Sequence, residues 1–108
     1  MPTSVFVGEF EQLVLLSLLG LGEKAYALPL RKRLNEITGR PVSRGALYRT
    51  LDRLEQKEFL GWELEDAGPR RGGHPRRRFT VTPRGVAALR ASRNTLVELW
   101  DGLEELLP

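Results

Sequence analysis

The residues with the clearest chemical potential lie in the stretch PVSRGALYRTLDRLEQKEF, positions 41–59. Ser43, Arg44, Gly45, Tyr48, Arg49 and Arg53 fall within it. Guanidinium groups, hydroxyls and a residue without a side chain make a mixture suited to a polyanion. Arginine offers two parallel N–H donors to a phosphate or to a guanine edge, and tyrosine adds a further donor. Glycine lets the backbone come close to a partner. A second group, Arg70, Arg71, Arg76, Arg77 and Arg78, sits in GPRRGGHPRRRF. These arginines are candidates for phosphate or minor-groove contact. The plain alternatives are a helix face with ordinary salt bridges and a solvated loop. Catalytic chemistry finds little support. The single histidine, His74, lies among glycines and prolines with no carboxylate or nucleophile at a telling spacing. No glycine-rich phosphate cradle and no Ser/His/Asp set is present, and no cofactor or metal is expected.

A helix is needed to present the first group. Ser43 is a good N-cap, because its hydroxyl accepts from an unpaired N–H of the first turn. Leu47, Leu51 and Leu54 then form one apolar stripe. At about 100° per residue, Gly45, Arg49, Asp52, Arg53 and Gln56 point the other way, with Arg44 and Tyr48 on the flank. A preceding helix is expected to begin near Pro29 and stop at Gly39, burying Leu30, Leu34 and Ile37 and turning Arg31, Lys32 and Arg33 outward. Two helices joined by a short Gly-containing turn, the second one basic, form the helix-turn-helix pattern. Ahead of them, residues 8–19 read as a helix that is apolar almost all round, including Leu13 and Leu16, and that needs cover on more than one side. A second copy of the chain is the economical source of that cover.

After Phe59 the apolar period shortens to two. Leu60, Trp62 and Leu64 share one face, as do Phe79 and Val81, and the residues between them read as a loop. The result is a hairpin with an arginine-loaded tip. Its charge has almost no nearby acid to pair with, which favours a polyanion over simple solvation. Thr82 as N-cap and Pro83 at the first helical position open a last helix, expected over residues 83–106. Along it Leu89, Leu96 and Leu103 recur every seven residues, with Leu99, Trp100 and Leu106 beside them, and Gly102 weakens it. Such a seam either folds back on its own core or pairs with a second copy, and dimerisation is the economical reading. The dimer interface is thus expected at Leu13, Leu16, Leu89, Leu96, Leu99, Trp100, Leu103 and Leu106.

Composition agrees. The chain has 108 residues, enough for one small domain, and no cysteine, so disulfides and thiolate metal sites are excluded and a cytoplasmic location is natural. The formal charge is +3, unevenly spread. Positions 31–84 hold fourteen Lys/Arg against seven Asp/Glu, and four acids with no base follow Arg93. A basic middle points to a polyanionic partner. The first ten residues lack a basic leader region, and the apolar run at 13–21 is too short to span a bilayer, so no membrane partner is expected.

The order of parts is helix, helix, basic helix, hairpin wing and long apolar helix. GEFEQLVLLSLL, VSRGALYRTLDRLEQKEFL and GGHPRRRFTVTPRG resemble the PadR family of bacterial transcriptional regulators. The likeness is carried by Ser43, Gly45, Tyr48, Leu51, Leu54 and Glu55 together with Thr82-Pro83 and Gly85, and it covers almost the whole chain. The resemblance implies a mainly α fold with a small β-hairpin. A winged helix-turn-helix domain at 1–82 is followed by a dimerisation helix at 83–108, the two packed as one unit. It further implies a homodimeric regulator of double-stranded DNA, usually a repressor acting on a palindromic operator. Short relatives bind planar apolar compounds between the terminal helices, so a small aromatic effector near Trp100 is an alternative. A winged-helix protein–protein interaction module is another. Two departures stand out: Ala27-Leu28-Pro29 follows Tyr26, and Asp52 puts an acid on the presumed DNA face.

Overall fold

The computed structural model describes residues 7–66 and 74–106; Arg70 and Arg71 lie outside them. Four helices and one hairpin follow in order: α1 (Glu9–Leu21), a short 3₁₀ turn (Gly22–Lys24), α2 (Ala27–Thr38), α3 (Arg44–Gln56), β1 (Leu60–Glu65), β2 (Arg76–Val81) and α4 (Pro83–Trp100). This is the expected architecture, a mainly helical fold with a two-stranded wing. The core forms where the leucine stripes converge. Val14, Leu15 and Leu18 of α1 meet Leu30 and Leu34 of α2 and Leu47, Leu51 and Leu54 of α3, and Phe59, Leu60, Phe79, Ala88 and Leu89 close it.

The strands run antiparallel, with Leu60 opposite Val81, Trp62 opposite Phe79 and Glu65 opposite Arg76. A two-stranded ribbon is marginal alone, and here it is braced. The Phe79 N–H donates to the Ala25 carbonyl at 2.8 Å, so the segment before α2 lends a short third edge. Phe79 is buried, whereas Trp62 and Leu64 are exposed.

Several boundaries differ from the sequence reading. Helix α2 starts at Ala27, two residues before Pro29. Proline is tolerated there because the first-turn N–H groups lack helical partners anyway. Ile37 lies on the solvent side rather than in the core. Helix α4 ends at Trp100, six residues early: Asp101 turns extended (ψ 127°) and Gly102 adopts φ 81°. Leu103 and Leu106 therefore sit in turns beyond the helix, and the seven-residue seam does not continue. Leu89, expected at a partner's surface, belongs to the chain's own core.

The end of α3 fixes where the wing and α4 begin. The Glu58 N–H donates to the Glu55 carbonyl (2.9 Å) and the Phe59 N–H to the Leu54 carbonyl (3.0 Å), a Schellman closure. Glu58 occupies the left-handed position, φ 64°, where glycine is favoured. The Thr82 hydroxyl donates to the Glu58 carbonyl (2.7 Å) and accepts from the Gly85 N–H (3.0 Å). A Cβ on Gly85 would lie 2.3 Å from the Phe59 carbonyl oxygen. Gly85→Ala is therefore expected to destabilise by about 3 kcal/mol or more, since backbone must move. Glu58→Gly should stabilise by about 1 kcal/mol through relief of left-handed strain, with its exposed ion pair to Arg84 contributing little. Urea midpoints check both, and an unchanged midpoint in Gly85→Ala would contradict the close approach.

Candidate nucleic-acid interface

The turn between α2 and α3 is held by side chains of α2. Gly39 closes α2 at φ 70°. The Val42 N–H donates to Asn35 Oδ1 (2.7 Å), and the Val42 carbonyl accepts from Arg31 Nε (2.8 Å). Both backbone polar groups of one residue are thus fixed from the preceding helix, so α3 starts in one direction. Arg31 serves this turn instead of projecting freely. Ser43 then caps α3, its Oγ accepting from the Ala46 N–H at 3.1 Å.

With Leu47, Thr50, Leu51 and Leu54 inward, the outer face carries Arg44, Gly45, Arg49 and Asp52, all exposed, with Tyr48 half-buried beside them. Among the described residues, Arg44 and Arg49 make no hydrogen bond or ion pair, and Asp52 pairs with neither neighbouring arginine. At Gly45 an added Cβ would meet only the far end of Arg49, at 3.1 Å. The chain's own packing thus makes little demand for a glycine there. What glycine provides is open access to the backbone from outside.

Arg53 is placed differently from its neighbours. Its Nε donates to Glu11 Oε2 (3.2 Å), and Lys57 Nζ reaches the same oxygen at 2.9 Å. Glu11 is buried, and its Oε1 also accepts from the Gly8 N–H at 2.9 Å. This carboxylate joins the start of α1 to the last turn of α3. Burial pushes the Glu11 carboxyl up, but the Gly8 N–H, Lys57 and Arg53 together outweigh it and leave its pKa below the usual value.

The wing arginines are also held. The Arg76 guanidinium lies 3.3 Å over the Tyr26 ring centre, and Arg77 lies 4.4 Å over that of Trp62. Arg78 Nε donates to Glu65 Oε2 at 2.8 Å, and the Tyr26 hydroxyl donates to Glu65 Oε1. Trp62 Nε1 donates to Glu55 Oε2 at 3.0 Å. The expectation of almost no local acid is corrected for Arg78: Glu65 is its partner, at the far end of β1. The sequence reading missed Glu11, Tyr26 and Glu65. For Glu11 one signal existed, its place three residues after the N-cap Gly8, where a side chain can return to the cap N–H.

Between α1 and α4 lies a groove of about 480 Å³ lined by Leu16, Leu19, Leu89, Leu96, Val97 and Trp100, with Gln12, Arg90 and Arg93 at its polar parts. Leu16, Leu96, Leu99 and Trp100 are exposed, while Leu13 is half-buried against the core. Among the described residues no group of three acids or histidines could hold a metal, and no helix is long and apolar enough to cross a membrane.

Residues 15–91 match the family model described as the transcriptional regulator PadR-like family. Among solved structures, the chain is similar to a PadR-like transcription factor from bacteroid fragilis: 26% identity, 90% of this chain and 88% of that one, TM-score 0.71. It is also similar to a PadR family transcriptional regulator from Eggerthella lenta, with 29% identity, coverage of 85% and 80%, and TM-score 0.61. The circadian clock associated protein Pex from anabaena shares the fold alone, at 20% identity, coverage of 89% and 86%, and TM-score 0.55. No curated protein matches.

The Glu11 contacts generate a pH prediction. A carboxyl whose folded pKa is depressed contributes stability that is complete above the unfolded value, about 4.3, and that is lost as pH falls through the folded value. Wild-type stability should therefore decline on acidification below about pH 4. Glu11→Gln should lower stability by about 1 kcal/mol at neutral pH and show a shallower acid decline. Urea titrations at neutral and acid pH measure this; equal pH slopes in the two proteins would contradict it.

Proposed function

The chain belongs to the transcriptional regulator PadR-like family, and from that premise we propose that it is a cytoplasmic homodimer that represses transcription at a palindromic operator. A DNA-binding regulator is what the family and fold support; the dimer, the operator symmetry and the residues in contact are the proposal. The observation that carries it is the outer face of α3. Arg44 and Arg49 stand exposed and without a protein partner among the described residues, flanking a glycine whose space is open. Several other cations are engaged: Arg53 and Lys57 by Glu11, Arg78 by Glu65 and Arg84 by Glu58. Lys32 of α2 and Arg40 of the turn are, like the α3 pair, unpaired among the described residues. A pair of arginines left unengaged on a rigid, capped helix matches a major groove, where guanidinium groups read guanine edges or grip phosphates.

In this reading Ser43, Arg44, Gly45, Tyr48 and Arg49 meet the groove and its edge phosphates, and Arg76, Arg77 and Arg78 flank the duplex from the wing. Arg70 and Arg71 extend that contact. Arg53 has its Nε committed to Glu11 and contributes chiefly by fixing α3. The dimer forms through Leu16, Leu96, Leu99, Trp100, Leu103 and Leu106, with the half-buried Leu13 adding to it; each exposed leucine that becomes buried contributes about 2 kcal/mol. Leu89 supports the interface from the core. Two recognition helices on one face of B-DNA would then stand about 34 Å apart. A dimer seated across an operator obstructs access to it, the simplest route to repression.

A second reading, a regulator gated by a small aromatic effector, is favoured by the groove between α1 and α4, which contains Trp100 and is wide enough for a ring system. It would show as quenching of tryptophan fluorescence by planar apolar compounds, absent in Trp100→Phe, with release of DNA.

Fluorescence anisotropy against a duplex from the chain's own upstream region tests the main reading. If each half-site neutralises about four phosphates, log K should fall with log salt at a slope of about −7. Arg44→Ala and Arg49→Ala should each weaken binding by about 1–3 kcal/mol. An affinity indifferent to salt, or to both substitutions, would leave a winged-helix protein-interaction module as the better description. Leu96→Glu should shift sedimentation from dimer to monomer and weaken operator binding with it.

A further inference from the structure

Tyr26 occupies an unusual place for an aromatic residue. It is the N-cap residue of α2, with φ −108° and ψ 162°, and its side chain does not cap that helix. The chain here runs beside the wing, because the adjacent Ala25 carbonyl accepts from the Phe79 N–H. From this position the Tyr26 hydroxyl donates to Glu65 Oε1, the Tyr26 ring carries the Arg76 guanidinium, and the other oxygen of Glu65 takes Arg78 Nε. Glu65 and Arg76 face each other as the last pair of the hairpin register. One phenol and one carboxylate therefore gather both strands where the connecting loop leaves and returns.

Arg76 shows how much depends on the ring. Its Nε is buried and, among the described residues, has no hydrogen-bond partner. The guanidinium is held by its face on the aromatic ring, with no acceptor at that inner nitrogen. Removing the ring takes away the stacking surface on which the group rests. Removing the hydroxyl frees Glu65 from α2 but leaves Arg78 its ion pair.

We propose that Tyr26 is a positioning residue for DNA binding: it holds Arg76, and through Glu65 also Arg78, in the orientation in which the wing meets the duplex. The inference rests on the functional reading above and adds to it a residue outside the DNA-facing helix. Loose arginines still neutralise phosphates, but they lose side-chain freedom on binding that the clamped wild type has already given up. Affinity should therefore fall while the salt slope, which counts phosphates, stays the same.

The test uses the full-length chain and a mixed-sequence duplex at low salt, with thermal melts as a check of folding. Tyr26→Leu should weaken binding about tenfold and Tyr26→Phe less, both with the wild-type salt slope. In free protein, the Arg76 Nε–H proton resonance, shifted upfield by the ring, should persist in Tyr26→Phe and move downfield in Tyr26→Leu. In an Arg76→Ala background, Tyr26→Leu should cost little further affinity, because what the ring chiefly holds is already gone. Wild-type affinity in Tyr26→Leu, additive losses in the double variant, or an unmoved Arg76 resonance would each overturn the proposal while leaving the functional reading intact. A wild-type chain that binds no duplex overturns both. Should Tyr26→Leu fail to fold, Tyr26→Phe and Glu65→Gln carry the test, and equal affinity to wild type in both would overturn it.

Discussion

The backbone of Phe59 is the point on which the geometry turns. Its N–H closes α3 onto Leu54, its carbonyl accepts from the Thr82 N–H at 3.1 Å, and the same carbonyl lies against Gly85 too closely for any side chain there. The end of the basic helix, both ends of the wing and the start of α4 are thus fixed relative to one another by main-chain groups. Side chains could adjust by changing rotamer; these groups cannot move without breaking hydrogen bonds that burial makes costly to lose. The angle between α3 and the hairpin is consequently a property of the fold, independent of the loop that joins the strands.

Around that point the acids and bases are sorted by task. Glu11, Glu55, Glu58 and Glu65 each take a donor from another element, and in doing so they tie α1 to α3, the end of α3 to the wing and to α4, and the wing to itself and to α2. Among the described residues, Arg44 and Arg49 of α3 have no such duty. A net charge of only +3 can accordingly serve a polyanion partner, because several acids are paired internally while the α3 face keeps two unpaired arginines. A run of exposed apolar side chains, Leu16, Leu19, Leu96, Val97, Leu99 and Trp100, lies along α1 and α4, a surface of different chemistry from the face of α3.

Much of this could be read from residue order. The limits of α3, its Ser43 cap and its inward leucines follow from a helical period combined with a strong N-cap, and each of these is local. Thr82-Pro83 and Gly85 announced a helix start for the same reason, although the close approach to Phe59 that makes Gly85 necessary is a tertiary fact. The failures share a cause as well. Apolar spacing shows which side of a helix is greasy, not what covers it, so Ile37 was expected inside and Leu89 outside. The α4 pattern ran on past Trp100 because leucines at 103 and 106 kept the spacing after the backbone had left the helix. Arg53 and the wing arginines looked free because their partners are remote in sequence: Glu11 is 42 positions from Arg53, and Tyr26 is 39 from the Glu65 it binds. No local pattern carries such pairings.

Two surfaces compete for the role of ligand site, the face of α3 with the wing and the groove between α1 and α4, and mapping the duplex onto the chain residue by residue separates them. Titrating isotope-labelled protein with operator DNA and following backbone amide resonances is the most direct measurement. The expected result is that amides of Ser43 to Arg49 and of Arg76 to Arg78 shift most, while those lining the α1–α4 groove stay near their free positions. Shifts concentrated on Leu16, Leu96 and Trp100, with Arg44 and Arg49 unmoved, would contradict the claim that the unpaired arginines of the basic helix are what this protein presents to DNA.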